Sequence, residues 1–171
     1  MVVWIIGLSG SGKSTLANEV VRLVRGRGET VALLDGDAVR RVFGDDLGHT
    51  LEDRHKNARR MNALCKLLDE QGVHVVCAIL SLFEDTRRWN RENLSAYYEV
   101  FLDAPLETLA ARDPKGLYRE ALSGRMRDLP GVDIPFPRPE RPDLVLENTG
   151  TREELLAHAG DIARLFAGGR A

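Results

Sequence analysis

Apolar and polar positions alternate between two periods along the chain. Residues 2–6 form an unbroken apolar run rich in β-branched side chains, the pattern of a strand buried on both faces. After a glycine-rich turn, residues 14–25 set Leu16, Val20, Leu23 and Val24 at helical spacing, and Gly26 and Gly28 end the pattern. Residues 30–34 predict a second strand that stops at Asp35-Gly36-Asp37. A long helix is predicted over 51–71, with Ala58, Met61, Cys65 and Leu68 on one stripe and Gly72 as its stop. Residues 73–80 and 98–102 read as the third and fourth strands, and Pro105 opens a helix to residue 111. A short strand at 144–146 and an amphipathic helix over 152–166 complete the pattern. Such alternation predicts an α/β fold in three layers, a five-stranded parallel sheet between helices, with ligands at the carboxyl ends of the strands.

One stretch breaks the rhythm. Residues 112–142 hold six of the seven prolines and three glycines, with only a helical turn or two near 118–122. A long irregular segment in a compact fold points to a lid or binding loop, placed here at about 112–140; a merely solvated loop is the plain alternative. No repeat or linker divides the chain, so residues 1–171 are expected to form a single domain. Charge narrows the partners. With 26 acidic and 24 basic side chains, no overall positive field recruits nucleic acid or an anionic membrane. The apolar run at 2–6 is too short to span a bilayer and lacks the features of a signal peptide. Cys65 and Cys77 have no metal spacing, so neither disulfide nor zinc is expected, and a cytoplasmic location follows.

The strongest chemical signal follows the first strand. Gly7, Leu8, Ser9, Gly10, Ser11, Gly12, Lys13 and Ser14 satisfy G-x-x-x-x-G-K-[ST], between a strand and a helix as that motif requires. Glycines let backbone amides turn around phosphate oxygens, and the helix start adds the positive end of its dipole. Residues 7 and 9–15, Thr15 included, are thus the expected ATP cradle, with Lys13 reaching the β and γ phosphates and Ser14 a ligand of Mg²⁺. A chance glycine-rich turn is the bland alternative. The fold class narrows to that of P-loop NTPases and nucleoside-monophosphate kinases. No N-K-x-D reads guanine. Asp103, after an apolar strand and before Pro105, is expected to cap a helix rather than serve a motor ATPase.

Asp35 and Asp37 end the second strand beside that cradle. One is suited to hold Mg²⁺ through water and the other to take a substrate hydroxyl, unless Asp37 merely caps a helix. Arg40 or Arg41 would face an anionic acceptor, and Arg54, Asn57 and Met61 share one helix face. His49 and His55 read as polar surface or substrate contacts, and His74 as a core histidine. Arg112 and Lys115 open the irregular segment and could close over ATP.

These pieces resemble the adenylylsulfate (APS) kinase family, which phosphorylates the ribose 3′-hydroxyl of adenosine 5′-phosphosulfate with MgATP. The resemblance rests on residues 7–15, Leu34-Asp35-Gly36-Asp37 with Arg40, Asp46-Leu47-Gly48, Glu52-Asp53-Arg54 with Asn57 and Arg60, Asp113-Pro114-Lys115-Gly116-Leu117-Tyr118, and Gly131-Val132-Asp133 with Pro135. It implies catalytic roles for Lys13, Asp35, Asp37 and Lys115, and acceptor contacts from Asp37, Arg40, His49, Arg54, Asn57, Lys115, Leu117 and Leu129. Ser81 matches a serine sometimes proposed as a phosphoserine intermediate, a role that direct in-line transfer does not require. Two departures stand out. The family places an aromatic after Leu-Gly and another before Thr-Gly-Ile-Asp, sandwiching adenine; here His49 and Leu129 occupy those places. Its S-P-F-R becomes Ser81-Leu82-Phe83-Glu84, a carboxylate where a cation would face the acceptor. The expected acceptor is therefore a smaller conjugate such as cytidine diphosphoramidate, as in a branch of the family that serves capsule-sugar modification. Authentic APS kinase is the alternative, and a non-catalytic ATP sensor is the reading from another class. Family members are often dimers, which makes a homodimer possible.

Overall fold

The computed structural model describes residues 1–113 and 115–167, so Pro114 of the Asp-Pro-Lys run and the last residues of the expected domain lie outside the described residues. Five parallel strands form one sheet: β1 (Val2–Ile6), β2 (Val31–Asp35), β3 (His74–Ile79), β4 (Tyr97–Asp103) and β5 (Leu144–Glu147), in the order β2-β3-β1-β4-β5. All five sit within a residue or two of their predicted positions. The register levels the carboxyl ends where the chemistry gathers. Ile6 pairs with Ile79 and Phe101, and Asp35 with Ala78.

Side chains on β1 alternate between two cores, as the period of a strand requires. Val3 and Ile5 join α1 (Lys13–Arg25) and the C-terminal helices, packing on Leu16, Val20, Ala159 and Ile162. Val2, Trp4 and Ile6 face the other way, onto Val39 of α2 (Gly36–Val42) and onto Ala58, Met61 and Cys65 of α3 (Leu51–Glu70). Both layers are thus anchored on a strand that is fully buried, each such side chain contributing about 1.5–3 kcal/mol.

The remaining elements are α4 (Glu84–Asn93), α5 (Leu106–Arg112), α6 (Leu117–Leu122), α7 (Arg152–Ala157) and α8 (Ala159–Arg164). Hydrophobic periodicity does not announce α2 or α4. The first has only seven residues and starts on glycine. The second buries polar Thr86, Arg87 and Asn90 instead of an apolar stripe. The single closing helix predicted over 152–166 is instead split by a turn at His158, just before Gly160, the residue type with the least helical preference after proline. His74, expected in the core, is partly buried, with its ring edge-on to Phe166.

The irregular segment is more than a solvated loop. Its Tyr118 and Leu129 are buried with Ala104 and Leu109 in a third apolar cluster, and a bridge pairs Pro130 with Ile134. Asp103 does not cap α5. Pro105 occupies that position without a side-chain bond, and Asp103 instead pairs with Arg138 at 2.6 Å. Among the described residues no helix is long and apolar enough to cross a membrane.

Candidate active site

The glycine-rich turn leaves the central strand β1 and becomes α1, with Gly12 in the left-handed region (φ 94°) at the helix start. Close approach also demands glycine here. A Cβ on Gly12 would lie 2.6 Å from Leu155, and one on Gly7 2.7 Å from the Leu102 carbonyl. Lys13 donates to the Leu8 carbonyl at 2.7 Å, bending back over the loop. Burial pushes its ammonium from 10.5 down to about 8, against the opposing pull of Asp37 and Asp35.

Asp35, at the end of β2, does two jobs. Its Oδ1 accepts from the Asp37 and Ala38 amides and so caps α2, while Oδ2 accepts from Ser14 Oγ at 2.6 Å. The helix cap is therefore Asp35, not Asp37, which leaves the Asp37 carboxylate to face the cleft. There it meets Lys115 at 2.8 Å. Burial pushes Asp37 up, but the hydrogen bond and charge of Lys115, with Lys13 and Arg40, outweigh it and hold the carboxyl below its ordinary range.

These groups line a cleft of about 770 Å³ at the carboxyl ends of the strands. From α2, Asp37, Arg40 and Arg41 reach it, as positions i, i+3 and i+4 of one helix face must. Arg40 is only 9% exposed and donates to the Leu47 and Gly48 carbonyls, fixing the loop that presents His49. Arg41 lines the same cleft with no ion pair among the described residues. Leu117, Met126 and Leu129 line it as well. Arg54 spans both walls, Nε donating to the His49 carbonyl and Nη2 to the Asp128 carbonyl, each at 2.8 Å. Burial, with the charges of Arg54 and Arg40, lowers the His49 pKa and favours a neutral ring.

Five expected contacts sit elsewhere. Asn57 is buried on α3 outside the cleft lining, its Oδ1 without a partner. Ser81 is fully buried and faces Arg87, which donates to its carbonyl at 3.1 Å. Glu84 turns to Arg87 and lines no part of the cleft, so the predicted acceptor-side carboxylate is instead a helix ion pair. Arg112 straps the loop after β5, donating to the carbonyls of Asn148 (3.0 Å) and Gly150 (2.7 Å). His55, read as surface or substrate contact, binds Asp85 at 2.8 Å.

The residues present fit a magnesium nucleotide. Ser11 Oγ is a buried polar atom without a partner inside the loop, and Ser14 with Asp35 offers two oxygen donors side by side. Magnesium takes few protein ligands and fills its sphere from phosphate and water, and no cluster of three or more His, Cys, Asp or Glu side chains competes among the described residues.

Residues 1–147 match the family model described as adenylylsulphate kinase. The chain belongs to the adenylylsulphate kinase family. Among its relatives, the bifunctional enzyme NodQ of Rhizobium tropici is 44% identical over 158 residues, which cover 91% of this chain and 25% of NodQ. An adenylyl-sulfate kinase of Marinobacter nauticus is 43% identical over 150 residues, 86% of this chain and 75% of that kinase. The chain thus spans about a quarter of NodQ and three quarters of the single kinase. The APS kinase CysC of Mycobacterium tuberculosis, solved in complex with AMPPNP and APS, superposes with a TM-score of 0.87 at 35% identity, covering 98% of this chain and 97% of that one. Family members are phosphotransferases with a hydroxyl acceptor. The expected cytidine diphosphoramidate acceptor gains no support from these relatives, two of which are named for adenylylsulfate.

Proposed function

We propose that the chain is an ATP-dependent kinase that phosphorylates the ribose 3′-hydroxyl of adenylylsulfate. One observation carries this reading: Lys13, the Ser14–Asp35 pair and the Asp37–Lys115 pair converge on one cleft that His49 and Leu129 also line. When bound, MgATP supplies the γ-phosphoryl group, with the metal neutralising phosphate charge. Residues 7–15 would hold the triphosphate, and Ser14 and Asp35 would hold the metal, Asp35 through water. Lys13 is freed from the Leu8 carbonyl to neutralise phosphate charge. Asp37 orients the attacking hydroxyl. Its low pKa makes it a weak base, which a largely dissociative transfer tolerates. Lys115, by pairing with Asp37, sets that carboxylate and brings positive charge beside the transferring group. Arg54 and His49 shape the acceptor wall. The segment around 112–140 is proposed to cover the reacting groups and exclude water. A non-catalytic sensor would have no use for these carboxylates beside the cradle.

A second reading keeps the reaction and changes the base. His49 and Leu129 stand where the family sandwiches adenine, and each lost stacking contact costs about 1–3 kcal/mol. A pyrimidine conjugate such as cytidine diphosphoramidate needs less stacking area. Parallel turnover assays separate the two. Adenylylsulfate is expected to give at least roughly tenfold higher kcat/KM, and His49→Phe to lower its KM by roughly fivefold through added stacking. A reversed preference assigns the acceptor to the pyrimidine conjugate.

Nucleotide affinity should depend on pH through Lys13. Bound phosphates raise its pKa above the ligand-free value of about 8, so binding takes up a proton only above that pH. MgATP affinity is expected to be level below pH 8 and to fall by up to about tenfold per unit above it. Calorimetry in buffers of different ionisation enthalpy reads the proton directly. A flat affinity from pH 7 to 9.5 with no proton uptake would contradict it.

A further inference from the structure

A loop that binds phosphate through backbone amides has an inherent weakness. In a trans peptide the N–H and C=O point in opposite directions, so rotating the unit by half a turn replaces a donor with an acceptor that repels phosphate. That rotation is easiest where the following residue is glycine, because only glycine passes freely between positive and negative φ. Past Gly7, whose φ of 153° lies close to extended backbone, the phosphate loop holds two such units with the glycine already at positive φ, Ser9–Gly10 (φ 76°) and Ser11–Gly12 (φ 94°).

Both are held from outside the loop. The Tyr118 hydroxyl donates to the Ser9 carbonyl at 2.7 Å, from a side chain 1% exposed on α6. Asn148 Nδ2 donates to the Ser11 carbonyl at 2.8 Å, from a side chain 6% exposed after β5. Asn148 is itself fixed, its N–H donating to the Asp103 carbonyl at 2.8 Å and its own carbonyl receiving Arg112. The third loop carbonyl, of Leu8, is taken by Lys13, which is needed elsewhere once phosphate arrives. We infer that Tyr118 and Asn148 are positioning residues that lock the two flip-prone peptide units, keeping the amides of Gly10 and Gly12 presented to the nucleotide. Arg112 then acts on ATP through Asn148.

This inference rests on the ATP-binding reading above, and the test separates the two. Titrating the protein with the magnesium complex of a non-hydrolysable ATP analogue is expected to give a Kd that rises roughly three- to tenfold in Tyr118→Phe and again in Asn148→Ala. Acceptor KM at saturating ATP should change less than about twofold. In ¹⁵N spectra of the free protein, exchange broadening should appear at Gly10 in Tyr118→Phe and at Gly12 in Asn148→Ala. Simple loss of packing would not place broadening so selectively. Tyr118→Phe removes one oxygen and leaves the ring packed; if Asn148→Ala does not fold, Asn148→Ser takes its place. Wild-type affinity together with unchanged glycine signals in the variants overturns the lock while sparing the ATP reading. Failure of the wild-type protein to bind the analogue overturns both.

Discussion

Replacing Lys13 by alanine is expected to lower turnover by about 10³-fold or more, the scale seen when a charge that stabilises a transferring group is removed. The ammonium lies inside the phosphate loop, where its hydrogen bond to Leu8 is the one contact that phosphate oxygens would replace. Stability should move the other way. Because burial lowers its pKa from 10.5 to about 8, the folded state binds fewer protons than the unfolded chain between those values. Stability therefore rises with pH through that window, and below pH 8 the charged side chain weighs against folding. Lys13→Ala should then melt no lower than wild type at pH 7, with its stability no longer rising between pH 8 and 10.5 on this account. Wild-type turnover in a folded Lys13→Ala protein removes the phosphoryl-transfer mechanism.

Asp35→Asn should be almost as damaging, again about 10³-fold, while hardly disturbing the fold. An asparagine oxygen still caps α2 through the amides of Asp37 and Ala38, but the negative charge beside Ser14 is gone. Asp35→Ala differs. It loses the cap as well and should cost about 1 kcal/mol of stability. Comparing the two by thermal melting and by activity against Mg²⁺ concentration separates the structural job from the chemical one. If Asp35→Asn turns over normally at low Mg²⁺, Asp35 is a cap and nothing more.

The sheet was legible because each strand is a short apolar run bounded by glycine or aspartate, and the phosphate loop because its motif needs a strand before it and a helix after it. Where the hydrophobic pattern is silent, local sequence announces no element. The α4 helix buries Arg87 and Asn90, and Arg87 is held by polar groups, the Ser81 carbonyl just after β3 and Glu99 on β4. The two jobs of Asp35 were hidden for a related reason. A cap shows itself only when the helix does, and α2 is too short to declare itself. Arg112 and Ser81 illustrate a further limit. Charge, for Arg112, and the family resemblance, for Ser81, imply contact with a ligand, but packing sets Arg112 on carbonyls 36 and 38 positions away and Ser81 against Arg87. His49 and Leu129, by contrast, line the cleft as the family resemblance around the Leu-Gly and Gly-Val-Asp runs implies.

Arg54 joins two connecting loops rather than two strands. The part of the cleft proposed to select a base is therefore built from segments that carry none of the sheet, while the part proposed to transfer phosphate sits on strand ends and a helix start. Exchanging what His49 or Leu129 presents would retune the choice of acceptor and leave the phosphate machinery as it stands, so lineages of this enzyme type have a short mutational route to new substrates.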